Sequence, residues 1–406
     1  MSATADDRIT LDVVAAGFAN LIASGGLALA AHRWAPAARR LLLPPVAFLA
    51  AIGGIEVFRI DRDLGRLQRW WLLLAAALAA VLLWVLRNRG VEVLARFRYL
   101  LLVASIGLLL LPLLPASSPL GGATVNGSRL WVRLDLGERS LSLQPGEAAK
   151  LLLVVFLASY LAERRDALVS LPRSVGPLSI PEPRQLVPLL LAFVASFGVL
   201  VYQRDLGASL LLFGVFVTML YAATARRTYL LAGGVLAAAG AIAAARAFDH
   251  VRTRIDAWLR PFDDFAGNGY QAAQGVFALA EGGLTGTGLG NGAPYLIPAA
   301  ATDYVFVAIA EETGLAGAVA VLAAFGLVVA AGFGIALRAR DPFRALLAAG
   351  LTLVLAIQTL LILAGVLRLM PLTGITLPFV SYGGSSLLAN LLAIAVLVRI
   401  SHEERT

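Results

Sequence analysis

Long apolar runs follow one another along almost the whole chain, and this pattern restricts the fold more than any other feature. The runs lie at 11–32, 41–58, 70–86, 99–115, 147–162, 186–202, 206–223, 228–246, 315–337, 345–367 and 384–400. Most approach the roughly 17 to 25 residues that a helix needs to cross a bilayer. Only 14% of the residues are charged, well below the share of about 25% in soluble domains. The sequence therefore predicts an all-α polytopic membrane protein with about ten to eleven transmembrane helices.

Arginines are concentrated in every second connection between these runs. By the positive-inside rule, the arginine-rich connections lie in the cytoplasm. They contain Arg33, Arg39, Arg40, Arg87, Arg89, Arg96, Arg98, Arg164, Arg165, Arg173, Arg184, Arg226, Arg227, Arg338, Arg340, Arg344 and Arg399. The C-terminus is then inside and, with an odd number of spans, the N-terminus is outside.

The opposite set of connections is external and includes both long loops. It comprises 59–69, 116–146, 203–205, 247–314 and 368–383, of which 59–69 departs from the rule because it carries four arginines. The net charge of +8 thus reflects topology, and no nucleic-acid partner is expected. The absence of cysteine excludes disulfides, thiolate metal sites and a cysteine nucleophile.

The first long external loop leads into a helix that carries the only lysine. Pro145 is a residue type favoured at the first helical position. Glu147 and Lys150 are three positions apart and share one helical face. They form either an ion pair that neutralises two buried charges or a site for an anionic group. Earlier in the loop, Arg129 is a candidate cation, and Trp131 is either an interfacial residue or a ligand.

A very short external turn contains Arg204 and Asp205. These two residues either pair with each other or cap the helix that follows, since charged residues are common where a span meets the interface.

The longest loop, 247–314, exceeds the usual length of a passive connector. It contains Arg252, Arg254 and Gln271, and the segment from Tyr270 to Leu279 is predicted to form a short amphipathic helix on the bilayer surface. Its glycine series is not a dinucleotide fingerprint, because no hydrophobic strand precedes it.

Asp303 lies where this loop enters an apolar segment. An ionisable group at membrane depth is costly, by about 2.5 to 3.5 kcal/mol at a helix centre, and is therefore a functional candidate. The alternative is that Thr302 or Asp303 caps the following helix. Glu311 and Glu312 are eight and nine residues further on, roughly 12 Å along a helix, which favours a supporting role.

The last external segment contains Pro371, Pro378 and several glycines, with Ser381, Tyr382 and Ser385 close behind. This composition predicts non-helical backbone at membrane depth, which is tolerated only where protein or a wet cavity receives its polar groups. The sequence therefore predicts that this Pro/Gly-rich segment is re-entrant. Small residues that pack helices are the alternative.

With these motifs together, the sequence resembles the SEDS family, the shape, elongation, division and sporulation proteins of bacterial cell-wall synthesis. The resemblance extends from about Ile55 to Ile400. It rests on Asn126-Gly-Ser-Arg-Leu-Trp131, Gln144-Pro-Gly-Glu-Ala-Ala-Lys150, Asp205-Leu-Gly207, Gly269-Tyr-Gln271, Thr302-Asp303-Tyr304 with Glu311-Glu312-Thr-Gly314, and the stretch from Thr373 to Ser386.

The resemblance implies a peptidoglycan glycosyltransferase that polymerises lipid II into glycan strands at the outer face of the cytoplasmic membrane, for elongation or division. It implies as partners lipid II and lipid-linked glycan, membrane lipid, and a class B penicillin-binding protein that cross-links the product. Asp303 matches the essential acidic position of the family, so it is the candidate general base. The substrate-binding candidates are Arg129, Trp131, Glu147, Lys150, Arg252, Arg254, Gln271, Ser381, Tyr382 and Ser385. A divalent cation, Mg²⁺ or Mn²⁺, is a further candidate to stabilise the leaving diphosphate.

Departures from the family pattern are few. Gly146, Arg204 and Ala301 stand where the family commonly has Ser, Pro and His. Because family members usually have ten spans with both ends inside, residues 1–40 are predicted to form an additional N-terminal helix before a SEDS-like membrane domain at 41–406.

A lipid II flippase or another transporter is the alternative from a different class, since broken helices and buried charges suit transport as well. A transporter needs polar residues near the midplane, whereas these motifs lie on one face. A noncatalytic scaffold that recruits a transpeptidase is a third reading.

Overall fold

The computed structural model describes residues 3–115, 118, 121–125, 128–136, 139–169, 173–175, 178–180 and 183–405. The helices are α1 Ala3–Trp34, α2 Leu43–Ile60, α3 Arg62–Arg89, α4 Glu92–Arg96, α5 Arg98–Leu110, α6 Pro145–Val169, α7 Pro183–Tyr202, α8 Leu206–Thr224, α9 Arg227–Ala247, α10 Asp249–Leu259, α11 Tyr270–Gly282, α12 Val305–Ala336, α13 Pro342–Val366 and α14 Gly384–Glu403. The strands are β1 Gly122–Val125, β2 Ser128–Leu136, β3 Arg139–Leu143, β4 Arg173–Val175 and β5 Leu178–Ile180.

Eleven apolar segments match the eleven predicted runs. In the described part of the chain, 9 helices are long and apolar enough to cross a membrane, and two shorter apolar segments, Arg98–Leu113 and Val187–Tyr202, account for the other two runs. The prediction of a polytopic, predominantly helical membrane protein is therefore confirmed. The run at 41–58 corresponds to α2. The Pro-Pro pair lies in the first turn of this helix, where a missing backbone N–H costs little.

Two small antiparallel sheets lie in the connections from α5 to α6 and from α6 to α7. One has the order β1-β2-β3, and the other pairs β4 with β5. In β2, the residues from Arg129 to Leu134 alternate polar or aromatic with aliphatic side chains, which is the period of a strand. Val132 is buried and pairs with Leu143 of β3. The alternation is too short to stand out beside the membrane runs.

The helices belong to two compact units. The first contains residues 1–84, 240–331 and 358–398, and the second contains 85–239, 332–357 and 399–406. α1 packs on α2 within the first unit. Asp303 and the Pro/Gly-rich segment are in the first unit, whereas Glu147 and Lys150 are in the second.

α12 is broken at Gly314, which has φ +66° and ψ −165°. This conformation suits glycine because it lies outside the region that side chains tolerate. A Cβ atom at this position would also lie 2.3 Å from the backbone nitrogen of Gly286. The glycine-rich loop donates from Thr287 and Gly288 to the carbonyl oxygens of Glu311 and Glu312, at 2.9 and 3.0 Å. The loop thus supplies donors to carbonyls that a helix end leaves without partners.

The connection between α13 and α14 is non-helical, as the sequence predicts. After α13 ends at Val366, the chain continues in turns and extended backbone to α14, which begins at Gly384. Trp258 Nε1 donates to the carbonyl oxygen of Arg368 at 2.8 Å, and Arg368 donates back to the carbonyl oxygen of Trp258 at 2.7 Å. α10 therefore holds the start of this connection.

Candidate active site

Asp303 lies in a short turn that immediately precedes α12. Its backbone N–H donates to the carbonyl oxygen of Ala299 at 3.0 Å. The first helical hydrogen bonds, from Val307 and Ala308, go to the carbonyl oxygen of Tyr304. Tyr304 thus occupies the N-cap position, one residue after Asp303. This geometry argues against helix capping as the role of the Asp303 carboxyl group.

The surroundings of Asp303 favour a proton acceptor. Burial raises the pKa of the Asp303 carboxyl group above its ordinary value, while a hydrogen bond from Thr302 and the positive charge of Arg254 oppose this rise. The residue is half-buried, so part of its surface remains accessible. A carboxylate whose pKa is moved toward neutral pH is better suited to general-base catalysis than an exposed one.

The Pro/Gly-rich segment is bonded directly to the turn that carries Asp303. Tyr382 donates its backbone N–H to the carbonyl oxygen of Ala301 at 2.8 Å, and Ser381 Oγ donates to the carbonyl oxygen of Thr302. Ser381 Oγ also accepts from the N–H of Leu377 at 2.9 Å. Ser381 is buried, so its hydroxyl group joins two backbone segments beside the candidate base.

Tyr382 is half-buried, and burial together with the negative charge of Asp61 raises the pKa of its phenol group. The phenol therefore stays neutral and can donate a hydrogen bond. Ser385 is buried in the first turn of α14.

Gln68 of α3 is a polar residue that the sequence analysis missed. Its Nε2 donates to the carbonyl oxygen of Ser381 at 3.1 Å, and its Oε1 accepts from the N–H of Gly383 at 3.4 Å. The side chain is buried, so both ends of the amide fix the backbone of the Pro/Gly-rich segment. In the sequence, the available signal of a role for Gln68 was its position just before the apolar run at 70–86.

A second buried network holds the same segment from its other side. Thr376 Oγ1 donates to Ser386 Oγ at 2.8 Å, and Gln358 donates to the carbonyl oxygen of Thr376 at 2.8 Å. Asn390 also donates to Ser386 Oγ, at 3.2 Å. Buried polar networks of this kind select one conformation because each unpaired member would be costly.

Arg254 and Arg252 have different surroundings, although both are site candidates on α10. Arg254 donates to the carbonyl oxygens of Leu372 and Thr373, each at 3.0 Å, and its charge acts on Asp303. Arg252 instead lies 3.6 Å from Asp249 and donates to the carbonyl oxygen of Arg246. Positions two apart on a helix do not share a face. Of these two arginines, Arg254 is therefore the one whose charge acts on Asp303.

α11 supports the Asp303 turn from another side. The predicted helix from Tyr270 is confirmed and continues to Gly282. Gln271 Nε2 donates to the carbonyl oxygen of Pro298 at 2.7 Å. A Cβ atom at Gly275 would lie 2.5 Å from the ring of Tyr304. Glycine at this position therefore allows α11 to approach the residue next to the candidate base.

A buried acidic cluster lies nine residues beyond Asp303. Arg59 donates through both terminal nitrogens to the two carboxylate oxygens of Glu312 and lies 3.3 Å from Glu56. Glu312 also accepts from the N–H of Gly290 at 3.2 Å, and Glu311 accepts from the N–H of Ala293 at 2.9 Å. The two glutamates thus tie α2 and the glycine-rich loop to the helix that follows Asp303.

Lys150 and Glu147 form the predicted ion pair in the second unit, with 3.0 Å between Nζ and Oε1. Both residues are buried. Glu147 Oε2 has no hydrogen-bond partner among the described residues. A small cavity beside the pair is also lined by Gln203 and Asp205. The pair is therefore confirmed, and its unpaired oxygen leaves a further polar contact open.

The short turn between α7 and α8 caps α8. Asp205 Oδ1 accepts from the N–H of Ala208 at 2.8 Å, which confirms the capping alternative. Arg204 has a left-handed backbone conformation, with φ +61°.

The pairing of β1 with β2 shifts between Ala123 and Thr124, which pair with Trp131 and Arg129. A β-bulge therefore interrupts the regular alternation of β2 between the two candidates. Arg129 is exposed and Trp131 is half-buried. The preceding Asn126 and Gly127 of this motif lie outside the described residues.

Comparisons with known proteins show the family of this chain. The family model for cell cycle proteins of the FtsW/RodA/SpoVE type matches residues 66–406. The chain is 41% identical to the peptidoglycan glycosyltransferase RodA of Mycobacterium tuberculosis (strain H37Rv) over 416 aligned positions, which cover 100% of this chain and 87% of the relative.

Two solved structures share the fold. The crystal structure of the rod shape determining protein RodA of Thermus thermophilus superposes with a TM-score of 0.61 and 26% identity, covering 91% of this chain and 97% of that one. A chain from a study of how a peptidoglycan synthase complex coordinates polymerization and crosslinking gives a TM-score of 0.69 and 26% identity, covering 90% and 98%.

The apolar helices define a multi-pass membrane protein, and the acidic turn before α12 is its candidate site. The chain belongs to the FtsW/RodA/SpoVE family, that is, to the SEDS proteins.

Proposed function

We propose that this protein is a peptidoglycan glycosyltransferase that polymerises lipid II. A sugar hydroxyl group of one lipid-linked substrate attacks the anomeric carbon of a second one. Asp303 accepts the hydroxyl proton, a new glycosidic C–O bond forms, and the bond from the anomeric carbon to the diphosphate breaks. The lipid diphosphate leaves with the electron pair of that bond.

The observation that carries the proposal is the position of Asp303 in a turn held by the Pro/Gly-rich segment and by α11. Burial there raises the pKa of its carboxyl group. A hydroxyl group is a poor nucleophile, and a positioned base typically contributes 10²- to 10⁴-fold to such a step. The bonds from Tyr382 and Ser381 to the turn hold this base in place. A fixed base loses less entropy on reaching the reactive geometry.

Charge on the departing diphosphate requires a cation, and Arg254 is the arginine whose charge acts at Asp303. Positive groups already in position stabilise developing negative charge without reorganisation. Arg254 therefore has two roles, because it also holds the backbone of Leu372 and Thr373.

A divalent cation has limited support from the protein side chains. The described residues contain no group of three or more His, Asp or Glu side chains that could hold a metal. Mg²⁺ can be bound through one or two carboxylates together with substrate phosphates, and such an ion would neutralise diphosphate charge. Because Asp303 is the proposed base, Mg²⁺ or Mn²⁺ would be held mainly by the substrate phosphates and would arrive with the substrate.

The site is proposed to face the outside of the cytoplasmic membrane, with the C-terminus in the cytoplasm. The arginine-rich connections support this orientation. We further propose a class B penicillin-binding protein as partner, because a similar chain occurs in a synthase complex that coordinates polymerization with crosslinking.

The experiment uses purified full-length protein in proteoliposomes with fluorescent lipid II, in the presence of its class B partner. Glycan strands are resolved on gels, and transbilayer movement of lipid II is followed separately. Asp303→Asn is compared with Asp63→Asn, which changes a carboxylate whose side chain is 87% exposed on α3.

The proposal predicts strands from the parent protein and from Asp63→Asn, and strand formation slowed by about 10²- to 10⁴-fold in the folded Asp303→Asn protein. Lipid II movement without strands would favour the flippase. Strands formed equally by all three proteins would leave Asp303 without a catalytic role.

A further inference from the structure

A cavity in the first unit lies between α1 and α2, and the proposed reaction does not use it. Its volume is about 490 Å³, within the roughly 300–1,000 Å³ of small-molecule sites. α3 and α14 contribute only apolar side chains to its wall, those of Leu72, Ala76, Leu391 and Val398.

Small side chains create this groove. The facing surfaces of α1 and α2 carry several alanines, including Ala23 and Ala31 on α1 and Ala47 and Ala50 on α2. Methyl groups cannot fill the space between two helices. Ala28, another lining residue, is exposed, so the groove opens to the surface of the protein.

One end of the groove is basic. His32 and Arg39 line it there, and the sequence places Arg33 and Arg40 beside them. Residues 13–55 contain no Asp or Glu. Basic pockets between helices on the cytoplasmic side are typical sites for anionic lipid headgroups. The positive-inside rule assigns this connection to the cytoplasm.

The dimensions favour one lipid chain over a helix. From Ala23 to Ala35 the groove follows about 18 Å of helix axis, close to one leaflet of a hydrocarbon core of about 30 Å. Its volume over that length gives a mean cross-section of about 27 Å². A helix about 10 Å across needs roughly 79 Å².

We propose that this groove binds an anionic phospholipid of the cytoplasmic leaflet. One acyl chain lies along the alanines between α1 and α2, and the phosphate group lies at His32 and Arg39. The additional N-terminal helix then forms a lipid site, which is independent of the chemistry at Asp303.

The test measures lipid retained by the full-length protein. Protein is reconstituted in nanodiscs of phosphatidylcholine with about 30% phosphatidylglycerol as the anionic probe, to represent a charged leaflet. Native mass spectrometry then counts each lipid that stays bound when the protein is released from the nanodisc. Arg39→Gln removes headgroup charge, and Ala28→Trp fills the open side of the groove. Controls are Arg62→Gln, at an exposed arginine on α3, and Leu21→Trp, at a residue 70% exposed on α1.

We expect the parent protein and both controls to retain phosphatidylglycerol in preference to phosphatidylcholine. Arg39→Gln should lower retained phosphatidylglycerol about fivefold, the effect of about one surface arginine, and Ala28→Trp should remove both lipids. Equal retention by Ala28→Trp and parent protein overturns the proposal. So does loss of the class B partner from Ala28→Trp with lipid retained, because the groove would then seat a partner helix.

Discussion

Arg59 of α2 offers the sharpest test of how the site is supported. Its guanidinium group bonds both oxygens of Glu312 and lies 3.3 Å from Glu56. The Glu312 side chain is fully buried and that of Glu56 is 5% exposed, while Arg59 is 24% exposed. Arg59→Met therefore leaves two buried carboxylates without their cation, whereas Glu312→Met leaves Arg59 paired with Glu56.

Removing one partner of a buried ion pair costs about 3–5 kcal/mol. Arg59→Met should lower the free energy of unfolding by about 5 kcal/mol, and Glu312→Met should lower it by about 3 kcal/mol. The double variant should cost no more than Arg59→Met, because the penalty for an unpaired Glu312 is then absent. The interaction energy would be about 3 kcal/mol, at the upper end of contacting pairs.

The free energy of unfolding can be measured by titrating the protein from mild detergent into dodecyl sulfate, with tryptophan fluorescence as signal. Arg66→Met is the matched control, since Arg66 and Asp63 form an exposed pair at 3.3 Å, and such pairs contribute about 0–1 kcal/mol. Single effects that add within about 0.5 kcal/mol, the behaviour of independent sites, would refute the pairing.

Three further changes test other parts of the account. Arg254→Gln removes the positive charge that holds down the pKa of Asp303. In the pH–rate profile of polymerisation, the acidic limb, where the base becomes protonated, should then move to higher pH. Arg254→Lys should keep the pH–rate profile of the parent protein. Gly275→Val places atoms against Tyr304 and should destabilise the protein by about 1–3 kcal/mol in the same titration, more than Gly234→Val, where a Cβ atom meets nothing within 4 Å. Asp205→Ala removes the cap of α8 and should cost about 0.5–2 kcal/mol, and Asp205→Ser should recover most of it. A loss as large with Ser as with Ala would contradict the capping.

Much of the fold follows from the sequence because membrane spans are a strong local signal. The apolar runs, the helix start at Pro145 and the pairing of Glu147 with Lys150 all depend on residues close together in the chain. Such short-range patterns can be detected without a structure. α11 was predicted for the same reason.

The supports of the site could not be predicted in this way. Gln68 bonds Ser381 across 313 positions, and Arg59 bonds Glu312 across 253. No periodicity encodes partners so far apart. The strand β2 was missed because its alternation is short. Glu311 and Glu312 were expected to support the site, but their bonds to α2 and the glycine-rich loop became evident only in three dimensions.

The initial rate of glycan-strand formation from lipid II by purified Asp303→Asn is the most direct measurement of the central claim. With folding verified by size-exclusion chromatography, the account predicts a fall of about 10²- to 10⁴-fold relative to the parent protein, the usual contribution of a general base. A rate equal to that of the parent protein would contradict it.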